Sequence, residues 1–314
     1  MKTRDSRPRR RLGAPRLLIV GCGDVGKRIL ARVAGRFRVL ALSSTPERLG
    51  ELRAAGATPL LGNLDDRASL ARIAPFARRV IHLAPPPEQG EVDSRTRHLL
   101  AAFGGRPGQI AYISTTGVYG DRGGAPTTET TPLRPASARA RRRLDAERVL
   151  RAAGLASGLR ASVLRTPGIY AHDRLPLARL RAGAPALSEA DDVYTNHIHA
   201  EDLARLALAA AFHGAPSRVY NAVDESDLKM GEYFDRVADA LGLPRPPRLP
   251  RAELARVVSP VMLSFMSESR RILAPRAARE LKVRLAWPTV DATLASLKQD
   301  PAAVSRPKAA GKTR

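Results

Sequence analysis

The stretch RLLIVGCGDVGKRIL, residues 16–30, decides the fold of this chain: a short apolar run enters a glycine-rich turn, and a helical pattern follows it. The glycines of the turn have the spacing G-x-G-x-x-G. Gly21 would allow the tight turn, Gly23 would let a pyrophosphate approach the backbone, and Gly26 would let the helix pack closely on the strand. The stretch therefore predicts a dinucleotide site, with a glycine-rich turn in an ordinary strand–helix unit as the alternative. The site residues predicted from this turn are Gly21, Gly23, Asp24, Val25 and Gly26.

Repeated strand and helix patterns continue from this motif to about residue 164. Short apolar runs separated by helical patterns are typical of strand–helix units that form a parallel sheet. The predicted strands are 17–20, 38–42, 58–61, 80–83, 110–114 and 162–164, and the predicted helices begin near residues 24, 46, 66, 93 and 137. The sequence therefore predicts an α/β fold with a Rossmann-type doubly wound parallel sheet, whose ligand crevice lies at the carboxyl ends of the strands. The segments expected at that crevice are 21–26, 43–48, 83–87 and 114–120.

After residue 165 the pattern changes to loops that contain proline and glycine, with helical patterns at 201–212, 230–241 and 251–267. We interpret this half as a smaller, mostly helical C-terminal substrate lobe, from which the apolar run 217–221 returns to the main sheet. The predicted division is a disordered basic tail at 1–13, a dinucleotide-binding domain at 14–165 to which 195–225 returns, a substrate lobe at 166–194 and 226–299, and a second disordered basic tail at 300–314.

The composition favours a soluble protein without a dedicated nucleic-acid function. The formal net charge is +23, but 46 of the 53 basic residues are arginines spread along the chain, which indicates compositional bias rather than a binding stripe. Weak, salt-sensitive binding of polyanions to the basic tails is the alternative. No apolar run is long enough to span a bilayer, and the single cysteine, Cys22, is expected to be small filler beside the glycine turn. We therefore expect a cytoplasmic protein with no membrane partner and no specific nucleic-acid partner.

With these motifs placed, the chain resembles the extended short-chain dehydrogenase/reductase family, in particular its atypical epimerase/dehydratase-like branch. Seven segments between residues 17 and 297 follow the order that they have in that family. They are the glycine motif, GNLD at 62–65, VIHLA at 80–84, STTGVYG at 114–120, TPLRP at 131–135, RTPGIY at 165–170 and NHIHAEDL at 196–203. The resemblance implies a Rossmann fold and an NAD(P) site, whereas the reaction has to be argued from the site itself.

The resemblance also implies which residues contact the cofactor beyond the glycine turn. Asn63 and Leu64, after the third strand, would lie near the adenine, and Asn63 stands where the family usually has aspartate. Ala84 and Pro85 would line the cofactor beyond the fourth strand. On that strand, His82 is expected to be a buried core residue.

The end of the second strand bears on which cofactor the chain prefers. An acidic residue about twenty positions after the motif would hold the ribose 2′-hydroxyl of NAD. This chain has no carboxylate at the strand end, and hydroxyls that include Ser43 and Ser44, together with Arg48, could instead hydrogen-bond the 2′-phosphate of NADP. NADP is therefore the expected cofactor and NAD the alternative, unless the serines only begin a turn and Arg48 is an exposed helix residue.

In this family a tyrosine exchanges the proton of the substrate oxygen. A lysine one helical turn later lowers the tyrosine pKa and holds the nicotinamide ribose. The matching positions of this chain are Arg139 and Arg143. Arg143 could still contact the ribose, whereas Arg139 stays protonated and cannot act as an acid or a base. No tyrosine of the chain has a lysine four residues later, so the pair has not moved elsewhere.

Other residues could take over part of this chemistry. Thr115 matches the family's serine or threonine and could orient a substrate oxygen. The replacement proton donors that the sequence offers are Tyr119, Tyr170, Tyr194, His197 and His199, each with a packing or loop role as its alternative. The predicted substrate contacts are Tyr119, Arg174 and His197, with a surface ion pair as the alternative role of Arg174.

Two functions follow from this pattern. The first is an NAD(P)-dependent oxidoreductase or epimerase/dehydratase-like enzyme with an atypical active site, acting on a nucleotide-sugar-like or other hydroxyl or carbonyl substrate. The second is a non-catalytic NAD(P)-binding regulatory or assembly protein. The expected partner is a small-molecule substrate, and no metal is expected to take part. A homodimer is the assembly that we consider, although the sequence does not distinguish interface helices from core helices.

Overall fold

A computed structural model describes residues 14–76, 78–104 and 108–299 of the chain. The tails predicted at 1–13 and 300–314 lie outside the described residues. The first of two compact units comprises the described residues up to Ile113 together with Arg142–Leu164 and Ala207–Arg218. The second unit comprises Ser114–Arg141, Arg165–Leu206 and the described residues from Val219 onward. The predicted division into a dinucleotide-binding domain and a substrate lobe stays a prediction, because these units are defined by contacts and not by function.

A seven-stranded sheet carries the fold. The strands of this sheet are β1 Arg16–Val20, β2 Arg38–Ser43, β3 Thr58–Leu61, β4 Arg79–His82, β5 Gln109–Thr115, β7 Arg160–Thr166 and β12 Arg218–Asn221. Short strands of the described residues pair outside it, and these are β6 Pro126–Thr127, β8 Gly168–Tyr170, β9 Ala186–Leu187, β10 Tyr194–Thr195, β11 His197–His199, β13 Leu228–Lys229, β14 Arg248–Leu249 and β15 Arg271–Ile272. The sheet order is β12-β7-β5-β4-β1-β2-β3, and β1 lies parallel between β2 and β4. Because the strand order reverses at β1, the predicted Rossmann-type doubly wound sheet is confirmed.

Helices connect most consecutive strands of this sheet, and further helices follow its last strand in the chain. They are α1 Asp24–Val33, α2 Arg48–Ala54, α3 Ser94–Ala102, α4 Ala138–Ser157, α5 Leu177–Arg181, α6 Ala200–His213, α7 Met230–Ala240, α8 Arg251–Val257, α9 Pro260–Phe265 and α10 Val290–Gln299. The prediction of a helix near residue 66 is wrong, because that connection forms two 3-10 turns, Ala68–Leu70 and Ala74–Phe76. Pro75 within it cannot donate a helical hydrogen bond. No helix in the described ranges combines the length and apolarity needed to cross a bilayer.

The apolar run of β1 is buried on both faces. Leu17, Leu18, Ile19 and Val20 are all fully buried, although successive side chains of a strand point to opposite sides. A strand covered on both sides needs a continuous apolar run rather than an alternating one. Burial of each such side chain contributes about 1.5–3 kcal/mol relative to leaving it exposed, so this strand is a major source of stability.

The second unit has an apolar core of its own. Its buried members include Tyr170, Phe234, Val237, Leu254, Met266 and Leu294. The single helix predicted at 251–267 is wrong, because two short helices, α8 and α9, occupy this segment. Pro260 is the first residue of α9, and the Ser259 side chain accepts a hydrogen bond from the Met262 N–H at 3.3 Å. A proline at the first helical position after a serine cap begins a new helix rather than continuing an old one.

We expect Gly120→Ala to destabilise the second unit far more than Gly123→Ala. Both glycines have positive φ, which costs an L-residue about 1–2 kcal/mol. At Gly120 (φ 70°, ψ −166°) a Cβ would also lie 2.1 Å from the Arg134 carbonyl oxygen, whereas a Cβ at Gly123 would meet no heavy atom within 4 Å. The free energy of unfolding in urea should fall by more than about 3 kcal/mol for Gly120→Ala and by about 1 kcal/mol for Gly123→Ala. Equal losses would contradict this geometry.

Candidate functional site

The glycine turn joins the carboxyl ends of three strands in the first unit. Gly21 follows β1 with a φ of +81°, a left-handed conformation that favours glycine. Its N–H donates to the Leu42 carbonyl of β2 at 3.2 Å. A Cβ at Gly21 would lie 2.6 Å from the backbone nitrogen of Ala84, just beyond β4. The backbone around residue 84 therefore leaves no room for a side chain at Gly21.

Gly23 has the opposite surroundings. A Cβ at this position would meet no heavy atom within 4 Å, and Gly23 immediately precedes Asp24, the first residue of α1. Open space therefore adjoins the N-terminus of a ten-residue helix, whose backbone N–H groups attract phosphate. Gly26 is closely packed instead, because its Cβ would lie 2.9 Å from Cys22 Sγ and 3.3 Å from Leu83 Cδ1. This arrangement fits the pyrophosphate of a dinucleotide at Gly23.

The other side chains of the turn are engaged within the protein. Cys22 is buried, and burial raises the pKa of its thiol to about 11. The thiol therefore stays protonated at neutral pH and packs beneath the turn. The Asp24 carboxylate contacts Arg28 of the same helix at 3.3 Å, and Val25 is buried. The open space beside Gly23 thus adjoins the backbone of the turn.

The residues predicted to hold a 2′-phosphate lie near the end of β2, and they differ in exposure and in their hydrogen-bond partners. Ser43 is buried, and its Oγ accepts a hydrogen bond at 3.2 Å from the N–H two residues later, whereas Ser44 is exposed. Arg48 Nη2 donates to the Cys22 carbonyl at 2.7 Å, and its Nε lies 3.7 Å from the Glu51 carboxylate. The Arg48 guanidinium therefore lies against the glycine turn with part of its hydrogen-bonding capacity used. Its contact with a 2′-phosphate stays a prediction.

A cleft of about 560 Å³ opens beside the end of β3 in the first unit. Leu61 is 56% exposed on its wall, and Leu64 is buried behind the next turn. Asn63 also lines the cleft, and its Oδ1 accepts a hydrogen bond from the Asp65 N–H at 3.0 Å. The amide nitrogen of Asn63 is therefore the group that it can offer to a ligand. An apolar wall beside an amide donor suits an adenine, which has apolar faces and polar edges.

Arg143, at the position of the family lysine, contacts the backbone just beyond β4, near the glycine turn. Its Nη1 donates to the Ile113 carbonyl at 2.8 Å and to the Tyr112 hydroxyl at 3.1 Å, and lies 3.5 Å from the Ala84 carbonyl. Ala84 is also the residue that crowds Gly21. Within the described part of the chain, nothing hydrogen-bonds Arg143 Nη2, so that group can serve a ribose hydroxyl.

Sequence reasoning missed Arg95, which links two loops of the first unit. Its Nε and Nη2 donate to the two carboxylate oxygens of Asp65 at 2.8 and 2.6 Å. Its Nη1 donates to the carbonyls of Pro85 and Pro86 at 3.2 and 3.3 Å. The hydrogen bonds from Arg95 lower the pKa of the Asp65 carboxyl. No spacing in the sequence indicates this contact, which fixes the loop with Asn63 against the loop with Pro85.

In the second unit, Thr115 and Tyr119 of the STTGVYG segment differ in whether their hydroxyl protons are available to a ligand. Thr115 is half-buried, and its Oγ1 accepts a hydrogen bond from the Gly117 N–H at 3.1 Å. No acceptor among the described residues takes its hydroxyl proton, so Thr115 can donate to a ligand oxygen. Tyr119 is fully buried and donates to Asn221 Oδ1 at 2.7 Å, and the Arg165 guanidinium lies 4.8 Å from its ring centre. A substrate contact by Tyr119 stays a prediction.

Arg139, at the position of the family tyrosine, contacts an aromatic ring of the second unit. Its guanidinium carbon lies 4.3 Å from the centre of the Phe265 ring on α9, which is within cation–π range. Phe265 is partly exposed. The side chain at this position therefore packs on an aromatic surface, and its permanent charge prevents proton exchange.

Three of the replacement proton donors meet in a buried cluster of the second unit. β8 and β11 pair in parallel, so His199 lies opposite Tyr170 and His197 lies opposite Gly168. His197 stacks on Tyr233 with ring centres 4.2 Å apart, and burial lowers the His197 pKa to about 3. Burial also raises the pKa of Tyr170. His197 is therefore neutral and Tyr170 protonated near pH 7, so neither titrates in the physiological range.

Asp224 adjoins this cluster, and sequence reasoning missed it. Its side chain is 6% exposed, and burial raises its pKa to about 7 even though Oδ1 accepts a hydrogen bond from the Ser226 N–H at 3.0 Å. Its charge adds to the effect of burial in raising the pKa of Tyr170. Asp224 also lines a cavity of about 810 Å³ in the second unit. Other residues that line this cavity are Asn196, Glu225, Arg271, Lys282 and Arg284.

The remaining predicted residues of the second unit lie elsewhere. Arg174 is half-buried in the 3-10 turn His172–Arg174, and Tyr194 of β10 lies 5.2 Å from the Arg271 guanidinium carbon. Among the described residues, none of the predicted substrate contacts lines the 810 Å³ cavity. In the same ranges, no group of three or more His, Cys, Asp or Glu side chains is placed to hold a metal ion.

The sequence matches the family model of the NAD dependent epimerase/dehydratase family over residues 17–222. No curated protein sequence matches the chain. Among solved structures, a functionally unknown conserved protein from Silicibacter pomeroyi DSS superposes with a TM-score of 0.77 at 29% identity, over 91% of this chain and 99% of that one. These findings confirm the resemblance stated from the motifs.

Two enzymes of known reaction share the fold. A dTDP-glucose 4,6-dehydratase from Bacillus anthracis in complex with NAD has a TM-score of 0.73 at 16% identity, with coverage of 91% of this chain and 97% of that one. A UDP-glucose 4-epimerase from Thermotoga maritima with UDP-glucose has a TM-score of 0.71 at 17% identity, with coverage of 89% and 96%. At these identities the likeness establishes the fold alone.

We expect Asp224→Asn to stabilise the protein above pH 7 and to have little effect near pH 3. The folded state holds the Asp224 proton up to about pH 7, whereas the unfolded chain loses it near pH 4, so the wild type loses stability as pH rises between these values. Asparagine keeps the acceptor for Ser226 and does not ionise. Urea unfolding at pH 8 should show a gain of about 1–3 kcal/mol. A difference that does not change with pH would contradict the titration of Asp224.

Proposed function

The chain belongs to the NAD-dependent epimerase/dehydratase family, and from this premise we propose that it binds NADP in preference to NAD and acts as an oxidoreductase or epimerase/dehydratase-like enzyme. Its active site is atypical, because arginines replace the tyrosine and lysine of the family. When bound, the dinucleotide supplies hydride transfer, which no protein side chain provides. The proposed substrate is a nucleotide-sugar-like or other hydroxyl or carbonyl compound.

The contrast between Gly21 and Gly23 is the observation that carries this proposal. Gly21 has no room for a Cβ because Ala84 crowds it, whereas Gly23, two residues later, borders open space at the N-terminus of α1. A turn needed only for chain reversal would explain Gly21 but not the bare backbone at Gly23. A bound pyrophosphate explains both, because it needs a tight turn and backbone that it can approach closely. Asp24, Val25 and Gly26 hold the helix that presents this surface.

The end of β2 supports NADP over NAD. Ser44 is exposed there, Ser43 closes the turn, and the Arg48 guanidinium lies at the glycine turn. Glu47 does not line the neighbouring cleft, whose described lining residues carry no carboxylate. A cleft whose described lining offers hydroxyls and no carboxylate can accept a 2′-phosphate, whereas NAD is normally held by a carboxylate on its ribose hydroxyls. Asn63, Leu64, Ala84 and Pro85 are the proposed contacts for the rest of the cofactor.

The proposed chemistry separates ribose binding from proton exchange. Arg143 Nη2 can hydrogen-bond the nicotinamide ribose while Nη1 stays on the Ile113 carbonyl. Thr115 can donate its hydroxyl proton to a substrate oxygen and so orient it. Arg139 cannot exchange a proton, so an enzymatic reaction needs another proton donor. An acidic group of the substrate itself, or a water molecule, can supply that proton in a reaction with a low turnover number.

The second candidate is a non-catalytic NAD(P)-binding protein with a regulatory or assembly role. The contact of Arg139 with Phe265 favours it, because this contact uses the catalytic position of the family for packing. The buried state of Tyr119, Tyr170 and His197 also favours it. Substrate-dependent oxidation or reduction of the nicotinamide distinguishes the two, since a binding protein causes none.

The proposal extends to substrate contacts and cellular setting. Tyr119, Arg174 and His197 remain the proposed substrate contacts, and rearrangement around Tyr119 and His197 would be needed because both are buried. Nucleotide-sugar substrates are suggested by the dTDP-glucose dehydratase and UDP-glucose epimerase that share the fold. We place the protein in the cytoplasm, without a specific nucleic-acid or membrane partner, and a homodimer is the assembly that we consider.

We expect Gly23→Asp to abolish cofactor binding without unfolding the protein. The new carboxylate would enter the open space beside α1 and repel the pyrophosphate, so titration with NADPH by fluorescence should show a dissociation constant at least about 100-fold higher. Unfolding in urea should change by less than about 1 kcal/mol, because no atom crowds the new Cβ. Gly21→Ala is the contrasting variant, because its Cβ would clash with the Ala84 backbone. It should lower the free energy of unfolding by more than about 3 kcal/mol. Unchanged NADPH affinity in Gly23→Asp would overturn the dinucleotide site.

We expect Thr115→Ala to reduce turnover about 10²- to 10³-fold while NADPH affinity changes less than twofold. Loss of the hydroxyl removes a donor to the substrate oxygen but no proposed contact to the cofactor. The assay follows nicotinamide absorbance with a panel of nucleotide sugars and simple hydroxyl or carbonyl compounds. Thr115→Ser keeps the hydroxyl and should retain most of the turnover. Full activity in Thr115→Ala would remove this residue from the mechanism, and the absence of turnover in the wild type would favour the binding protein.

A further inference from the structure

The 560 Å³ cleft of the first unit contains a cation that neither the glycine motif nor the end of β2 supplies. Its walls combine apolar surface from Pro46 and the exposed Leu61 with the hydroxyls of Ser44 and Ser69. Arg72 completes the lining from the connection between β3 and β4. The Ser69 hydroxyl proton is used within the protein, on backbone carbonyls of the same loop. The cleft thus offers a ligand an apolar surface, the Ser44 hydroxyl and one guanidinium, which together suit a phosphorylated adenosine.

Arg72 is available for a ligand in a way that Arg48 is not. The Arg48 guanidinium donates to the Cys22 carbonyl and lies 3.7 Å from the Glu51 carboxylate, which offsets its charge. By contrast, Arg72 is exposed, and across the described ranges no hydrogen bond or ion pair engages its guanidinium. A cation without a protein carboxylate beside it keeps its full attraction for an incoming phosphate.

The backbone that carries Arg72 is held firmly. Leu70 and Ile73, on either side of it, are buried, and the Ile73 N–H donates to the Leu70 carbonyl at 3.1 Å. Ser69 Oγ accepts from the Asn63 N–H at 2.9 Å and donates to the Asp66 carbonyl at 2.7 Å. The 3-10 turn before Arg72 is therefore tied to the loop that carries Asn63. This support fixes the backbone from which the side chain extends, so little backbone entropy is lost when Arg72 binds a ligand.

We propose that Arg72 binds the 2′-phosphate of NADP across the cleft from Ser44 and thereby selects NADP over NAD. A guanidinium pairs with phosphate through two parallel N–H groups, which gives geometric as well as electrostatic discrimination. This role rests on the proposed cofactor site and adds to it the cation that determines specificity. It also explains the lack of carboxylates among the described residues that line the cleft, because a carboxylate would neutralise Arg72 and repel the phosphate.

The test compares Arg72→Ala with Arg53→Ala, which removes an exposed positive charge from α2 of the same unit, outside the cleft. Dissociation constants for NADPH and NADH are measured by fluorescence titration. Those for adenosine 2′,5′-bisphosphate and 5′-AMP are measured by calorimetry. Arg72→Ala should weaken NADPH and the bisphosphate about 10- to 100-fold and change NADH and 5′-AMP less than twofold. Arg53→Ala should change all four less than twofold, and Arg72→Lys should keep part of the preference.

The outcomes separate this inference from the proposed cofactor site. Wild-type protein that binds neither dinucleotide overturns both, whereas tight NADPH binding that Arg72→Ala leaves unchanged overturns only the role of Arg72. Equal weakening of NADPH and NADH also overturns it, because a contact to the 2′-phosphate cannot affect NADH. Thermal unfolding of each variant should match the wild type, since the Arg72 side chain is exposed and makes no contact that the fold needs.

Discussion

The close approach of Gly21 to the backbone of Ala84 is the constraint on which the first unit depends. A Cβ at Gly21 would come within 2.6 Å of that backbone, and the Gly21 N–H is bonded to the Leu42 carbonyl, so one residue joins the ends of β1, β2 and β4. Because these ends are so close, the turn must leave β1 with a positive φ and enter α1 at once. The open backbone at Gly23 is a consequence of that path. The proposed cofactor site and the close packing of Gly21 on Ala84 therefore belong to the same turn.

Arginine supplies much of the cross-linking around this site. Arg48 caps the carbonyl of Cys22, Arg95 joins Asp65 to the loop after β4, and Arg143 bridges the Ala84 and Ile113 carbonyls. A guanidinium has five donors in a rigid plane, so one side chain can satisfy several carbonyls that lysine could not reach together. The high positive charge of the chain thus has a structural use within the fold. Arg72 differs because its donors are not used in this way.

Three titratable side chains of the second unit, His197, Tyr170 and Asp224, are buried. Burial holds His197 neutral with a pKa of about 3, and it raises the pKa of Tyr170 and that of Asp224, the latter to about 7. The low local dielectric favours the uncharged form of each group, whichever charge that group would carry. These residues stabilise a compact core by packing rather than by charge. Neither His197 nor Tyr170 changes its protonation state near neutral pH, whereas Asp224 does so and lines the 810 Å³ cavity.

The sequence by itself determined the order of the elements, the doubly wound sheet and the place of the glycine turn. Periodicity and glycine spacing are local properties, and the short apolar run of β1 before a glycine turn is typical of a strand covered on both faces. The boundary between α8 and α9 also has a local signal, because Ser259 and Pro260 form a helix start. The apolar periodicity that continues across this boundary nevertheless predicted a single helix. Tertiary structure alone decided the pairing of Arg95 with Asp65, the engagement of Arg48, the burial of His197 and Asp224, and the exposure of Arg72 in a cleft. Each of these depends on which distant residues meet and how much water remains between them, and sequence spacing carries no information on either.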